Sequence, residues 1–328
     1  MDQSRARAGI AEEDLTKAAS LIAGASLVAL ACHVVPDGDA LGSMLALHHV
    51  FRAAGIPSLA AFAGPQVIGP HYRDLPGLET LSDPGDFPAQ PELMVTLDCG
   101  SIERLGEFQH PARAAKELVV IDHHVSNTRF GSVHLIDSSA AASAVIVARL
   151  IEALGLPLNR EAAVCLYAGL VCDTGRFQYE SANVEAFELA RRLLEFDVPV
   201  ARLNRALFEE HRLAYLRLVG EILGRATLDE QKGFIWAAIT QADLDRFGVS
   251  MEETEGVIDF LRQAREAEVS CVLKEAPDGS LRVSLRSLGA VDVSALAARH
   301  GGGGHRFAAG FTASDSIGTV VEQIAQAL

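Results

Sequence analysis

The hydrophobic pattern of the chain changes character partway along. Over the first ~190 residues, continuous apolar runs of strand length alternate with runs of helical period. SLVALACH (26–33), PSLAAFAG (57–64), LMVTLDCG (93–100) and ELVVIDHH (117–124) read as buried strands. MLALHHVFRAAG (44–55), SAAASAVIVARLIEALG (139–155) and EAAVCLYAGLVCD (161–173) read as helices, and PDGDALGS (36–43) as a turn. Unbroken apolar strands between helices predict an α/β domain. Its parallel sheet is covered by helices on both faces. Ligands of such sheets bind beyond the carboxyl ends of the strands. The stretch 183–224 reads as helical throughout. After it the strands are GFIWAAIT (233–240), EVSCVLKEA (268–276) and SLRVSLRS (280–287), the last two joined by the Asp-Gly turn APDGS. VIDFLRQAREA (257–267) and VSALAARH (293–300) read as helices. The expected layout is a parallel-sheet domain over 1–205, a helical linker over 206–225, and a smaller α+β domain over 226–328.

Four segments share one grammar, an apolar run with an acid or histidine at its carboxyl end. They are ACHVVPDGDALGS (31–43), VTLDCGS (95–101), VVIDHHVSN (119–127) and GLVCDTGRF (169–177). The first three end strands and the fourth ends a helix. Strand ends on one edge of a parallel sheet converge, so His33, Asp37, Asp39, Asp98, Asp122, His123, His124 and Asp173 are expected in one cleft. Each piece alone has an ordinary reading. Asp in a Pro-Asp-Gly turn is turn chemistry, and Asp98 or Asp173 alone could cap a helix. The ordered recurrence points to a site. Crowded carboxylates raise each other's pKa, and cations remove that penalty. Carboxylate oxygen mixed with imidazole suits Mn²⁺ first, with Mg²⁺ or Co²⁺ as alternatives. Two such ions ~3.5–4 Å apart could polarise a phosphoryl group and activate water. His48 and His49 sit mid-helix and read as structural.

The formal net charge is −15, which disfavours a basic coater of double-stranded DNA. Within that acidic chain the stretch 274–310 carries Lys274, Arg282, Arg286, Arg299 and Arg306 against three acids. It contains ARHGGGGHRFAAGF (298–311), where Gly301, Gly302, Gly303 and Gly304 could let the backbone approach an anion. His305, Arg306 and Arg286 could then grip phosphate or stack on a base. Five cysteines without a C-x-x-C pair fit reduced thiols. No apolar run approaches the ~18 residues of a membrane span. The apolar segment 18–32 follows Glu12, Glu13 and Asp14 rather than a basic stretch. A cytoplasmic location away from membranes is therefore expected.

The ordered motifs HVVPDGDALGS, TLDCGS, IDHHVSN and VCDTGRF, followed by GGGGHRFAAG, resemble the DHH phosphoesterase superfamily with its DHH-associated (DHHA1) C-terminal domain. Within it the chain is most similar to the nanoRNase/pAp phosphatase group. The resemblance implies one metal ion on His33, Asp37 and Asp98, and a second on Asp39, Asp98, His123 and Asp173. Asp98 would then bridge. It implies that Asp122 orients a histidine, that His124 touches the scissile phosphate, and that Arg286, the glycine loop and His305 hold the rest of the substrate. The expected activity is metal-dependent hydrolysis of short oligoribonucleotides and of 3′-phosphoadenosine 5′-phosphate (pAp). A RecJ-like single-strand exonuclease and a cyclic- or linear-dinucleotide phosphodiesterase are the enzymatic alternatives. A nucleotide-binding regulatory protein is the non-enzymatic one. Apolar surface over 183–224 suggests a homodimer.

Overall fold

The computed structural model describes residues 9–328. The chain forms two compact units, one ending at Leu207 and one spanning Phe208–Leu328. The first contains α1 (Glu12–Gly24), β1 (Val28–Cys32), α2 (Gly38–Ala53), β2 (Ser58–Ala61), β3 (Leu93–Leu97), α3 (Gln109–Ala114), β4 (Glu117–Asp122), β5 (Val133–Ile136), α4 (Ser143–Ala153), α5 (Arg160–Asp173), α6 (Val184–Leu194) and most of α7 (Val200–Phe208). The five strands are all parallel, in the order β2-β1-β3-β4-β5. One face packs on α3 and its preceding turn through Leu105, Phe108 and Ala112. The other carries α2 and α4, on which α5 packs. Burial on both faces is what makes β1 and β3 continuous apolar runs. The strand order reverses between β1 and β3, so their carboxyl ends flank the crevice that such sheets use for ligands.

The second unit contains α8 (Leu213–Gly224), β6 (Thr227–Asp229), β7 (Phe234–Ile239), α9 (Gln241–Phe247), α10 (Val257–Leu261), β8 (Val269–Glu275), β9 (Leu281–Ser287), α11 (Val293–Ala298), β10 (Gly303–His305), β11 (Ala308–Ala313) and α12 (Ile317–Ala327). Its sheet runs β10-β11-β9-β8-β7-β6, antiparallel except between β7 and β8. One face is closed by an apolar cluster that includes Val293, Leu296, Val320 and Ile324 of α11 and α12. On the other face α8 and α10 cover β7 and the Val272 position of β8.

Several local expectations change. PDGDALGS is a helix start rather than a turn: Asp37 caps α2, accepting from the N–H groups of Asp39 (3.1 Å) and Ala40 (3.0 Å). Its glycines serve helix packing. A Cβ on Gly42 would stand 2.4 Å from the Cys165 carbonyl oxygen, so only glycine lets α2 lie this close to α5. The helical stretch 183–224 is three helices, interrupted over 195–199 and 209–212. The last of them, α8, is no free spacer. Tyr215, Leu218, Val219 and Ile222 sit in the second unit's core. Helix α10 stops at Leu261 instead of running to 267. Half of the glycine run is strand rather than loop, since Gly303 and Gly304 pair with β11.

Candidate metal centre and anion-binding face

The candidate ligands of the first unit collect where the sequence grammar puts them. His33 follows β1, Asp37 caps α2, Asp39 lies in its first turn, and Asp98 follows β3. Asp122 ends β4, His123 and His124 follow it, and Asp173 ends α5. Donor atoms of His33, Asp37 and Asp98 lie within 4.8 Å of one another, as do those of Asp39, His123 and Asp173. Asp98 stands between the two groups. Its Oδ2 is 3.7 Å from His33 Nε2, and its Oδ1 is 3.5 Å from His123 Nε2. Asp173 Oδ2 is 2.9 Å from His123 Nε2. Asp98 adopts φ 56°, a left-handed conformation uncommon for a side-chain-bearing residue, at a strand end. Such strain persists where the surroundings impose it, and it collects at functional sites.

Burial sets the electrostatics. Asp39 is fully buried, and this desolvation, with Asp98 and Asp173 nearby, pushes its carboxyl well above the usual range. Burial also pushes Asp98 upward, but hydrogen bonding to His33 and the charges of His124 and His123 outweigh it and hold the carboxyl far down. Burial pulls His33 down, yet Asp37 and Asp98 raise it to about 10. His123 is raised for the same reason, with Asp173 the main partner against burial. Five carboxylates, Asp37, Asp39, Asp98, Asp122 and Asp173, thus share a space with three imidazoles. The donors are hard oxygens and borderline nitrogens, a set that fits divalent cations. Burial pushes the Cys99 thiol, next to Asp98, well above the ordinary thiol range, so Cys99 offers no thiolate to the cluster.

The tandem histidines have different partners. His123 donates from Nδ1 to the Ala140 carbonyl at 3.2 Å, which leaves Nε2 toward Asp98 and Asp173. His124 Nδ1 is 2.7 Å from Asp122 Oδ1, and Asn127 Nδ2 donates to the other oxygen of Asp122 at 2.5 Å. Asp122 therefore orients His124. His48 and His49 are tied to Ser58 Oγ (3.0 Å) and the Pro76 carbonyl (3.0 Å).

Sequence reasoning missed the residues that hold the acids. Both oxygens of Asp39 are taken by the start of α4, from the Ser143 N–H (2.5 Å) and the Ala144 N–H (3.0 Å), with Ser43 Oγ adding a bond at 3.1 Å. Ser143 Oγ donates to Asp98 Oδ1 at 2.9 Å. A serine opening an apolar helix was the available signal. Arg104 was also missed; its Nη2 lies 3.1 Å from His33 Nδ1.

In the second unit, β9 and β11 leave half of one sheet face uncovered by apolar residues. Cross-strand register puts His305 opposite Ala308, and Ala308 opposite Arg286, so His305 and Arg286 flank a small residue on that face. Arg286 gives Nη1 to the Leu285 carbonyl (3.0 Å), while its buried Nε meets no acceptor among the described residues. Ser284 and Arg282 continue the row along β9. Arg306 does not join it. It lies in the turn after β10, where Nη2 bonds the Gly289 carbonyl at 3.2 Å. The glycines divide as well. A Cβ on Gly302 would stand 2.2 Å from the Gly310 carbonyl oxygen, and one on Gly304 would stand 2.5 Å from that of Ala308. Those two are required by strand packing, whereas Gly301 faces open space at φ 74°.

Both units of the chain match families of known proteins. Residues 27–170 match the DHH family N-terminal domain, and residues 232–328 match the DHHA1 domain. The bifunctional oligoribonuclease and PAP phosphatase NrnA of Thermus thermophilus is 32% identical over 283 residues, covering 86% of this chain and 83% of its own length. The protein of the same name from Bacillus subtilis is 29% identical over 281 residues, covering 85% and 86%. The chain belongs to the DHH phosphoesterase family and carries the DHHA1 domain as its second unit. An exopolyphosphatase-related protein from Bacteroides fragilis shares the fold across the whole chain, with TM-score 0.86, 24% identity and 97% of that chain covered. RecJ of Thermus thermophilus shares it at TM-score 0.56 and 18% identity, over 56% of RecJ. Among the described residues, no helix is long and apolar enough to cross a membrane.

Proposed function

We propose that this chain hydrolyses very short oligoribonucleotides and the 3′-phosphate of pAp, in the cytoplasm, with two divalent ions, Mn²⁺ above Mg²⁺ or Co²⁺. The observation that carries the reading is Asp98, whose two oxygens face two separate donor groups. His33 and Asp37 hold one ion with it; Asp39, His123 and Asp173 hold the other. Bound there, the ions supply Lewis-acid polarisation of the phosphoryl group and lower the pKa of water. His124, fixed by Asp122, donates to a phosphoryl oxygen as negative charge builds there. The acidic strand-end cluster would repel a polyanion unless cations offset it, so metal and substrate charge are coupled. Arg286 and His305 hold the part of the substrate that is not cut, Gly301 lets the backbone come close, and Arg306 adds charge at the rim. The named activities of the relatives at 32% and 29% identity support this substrate class.

The test is parallel incubation with Mn²⁺ of a 5′-phosphorylated RNA dinucleotide, pAp, and an RNA of about 24 nucleotides. Mononucleotides and AMP, with slow loss of the long strand, are expected. Faster cutting of the long strand would replace the reading with a RecJ-like exonuclease.

A further inference from the structure

The segment 137–144 contributes no proposed ligand, yet it touches three of them. Its Ala140 carbonyl takes the His123 Nδ1–H at 3.2 Å. Its Ser143 and Ala144 N–H groups take Asp39, and Ser143 Oγ takes Asp98. The segment is itself tied at every turn. The Asp137 N–H bonds the Asp122 carbonyl at 3.1 Å, continuing the pairing of β5 with β4. The buried Asp137 side chain accepts from the Ser139 N–H at 2.9 Å and the Ser139 hydroxyl at 2.6 Å. Its other oxygen accepts from Arg149 Nη1 at 2.6 Å. Arg149 is in turn held by Glu185 of α6 through a two-pronged contact at 2.7 and 2.5 Å. Asn183 Nδ2, at the start of α6, bonds the Ser139 carbonyl at 3.0 Å.

Two physical consequences follow. A carbonyl acceptor on Nδ1 requires the proton there, which makes Nε2 the metal-facing nitrogen of His123. The first N–H groups of a helix have no partner within the helix, and an anion placed on them is favoured by the helix dipole. The α4 start thus gives both oxygens of Asp39 fixed N–H donors that set their direction.

We propose that segment 137–144 is the positioning element of the metal centre and that Arg149, through Asp137, locks it. This rests on the metal reading given above. Ser143 and Arg149 are positioning residues here, acting through Asp39, Asp98 and His123 rather than on substrate.

The experiment titrates Mn²⁺ into metal-free full-length protein and reads free Mn²⁺ by electron paramagnetic resonance, with melting temperature measured on each sample. Ser143→Ala and Arg149→Met are expected to weaken Mn²⁺ binding about 10- to 100-fold, the range for lost outer partners of ligands. Ser143→Thr and Arg149→Lys should recover part of the loss. Arg191→Met cuts an exposed ion-pair pair on α6, with Glu188 and Glu195, and should leave affinity unchanged. If Arg149→Met does not fold, Ser143→Ala decides, since it removes one hydroxyl. Folded Ser143→Ala protein with affinity within about twofold of the parent overturns the proposal while leaving the metal reading intact. Absence of Mn²⁺ binding by the parent protein overturns both.

Discussion

The two units handle charge in opposite ways. The first gathers five carboxylates and three imidazoles at neighbouring strand and helix ends, most of them buried. The second spreads Arg282, Arg286 and His305 over half a sheet face that is only partly buried. The first arrangement demands cations and fixed geometry, because buried like charges cannot coexist uncompensated. The second tolerates variation, because a half-exposed guanidinium is solvated while it waits for an anion. The difference predicts that the first unit fails abruptly on substitution and the second gradually.

The largest expected effect is at Asp98. Asp98→Ala should lower kcat by at least on the order of 10²–10³-fold, since it removes a ligand from both donor groups. Steady-state kinetics on pAp under saturating Mn²⁺ checks this, and a loss below tenfold would erase the contrast. Next comes Gly302→Ala. Its Cβ would meet the Gly310 carbonyl oxygen at 2.2 Å, so denaturant unfolding should report a loss of about 1–3 kcal/mol in the second unit. Mn²⁺ binding by the first unit should be unchanged. Arg286→Met should then raise KM about tenfold with kcat nearly constant, the signature of lost uniform binding. An equal fall in kcat would instead tie Arg286 to the transition state. The smallest effect is acid loss at Asp243. Arg225 beside it, with Thr240, lowers this carboxyl from 3.8 to about 2. Its contribution is present above the unfolded value and disappears as pH falls through about 2. After allowance for the exposure of Arg225, it amounts to about 1 kcal/mol. Stability of Asp243→Asn protein should converge on the parent's over that window.

How much was legible follows from which forces act locally. Strands β1, β3 and β4 were readable because double-sided burial writes a continuous apolar run, and their terminal acids were readable because chain direction fixes the sheet edge. Short β5, β6 and β10 were not, since their three or four residues mix polar and apolar positions, whereas equally short β2 lies in the longer apolar run LAAFA; β11 was hidden in the segment read as a glycine loop. The glycines of PDGDALGS and GGGGH were read as turn and loop signals, but Gly42 answers to Cys165, distant in sequence, and Gly302 and Gly304 to the strand that folds back on them. Ser143, Asp137 and Arg149 escaped for the same reason: their roles exist only once α4 meets the ends of β3 and β4. His48 and His49 followed their ordinary reading, one tied to Ser58 and one to a carbonyl.

The central claim is a two-ion centre built around Asp98. Mn²⁺ should be titrated into metal-free protein while its resonance spectrum and pAp hydrolysis are followed on the same samples. Two Mn²⁺ ions per chain are expected, with activity rising as the second site fills. Saturation at a single ion, or full hydrolysis with no divalent ion present, would contradict it.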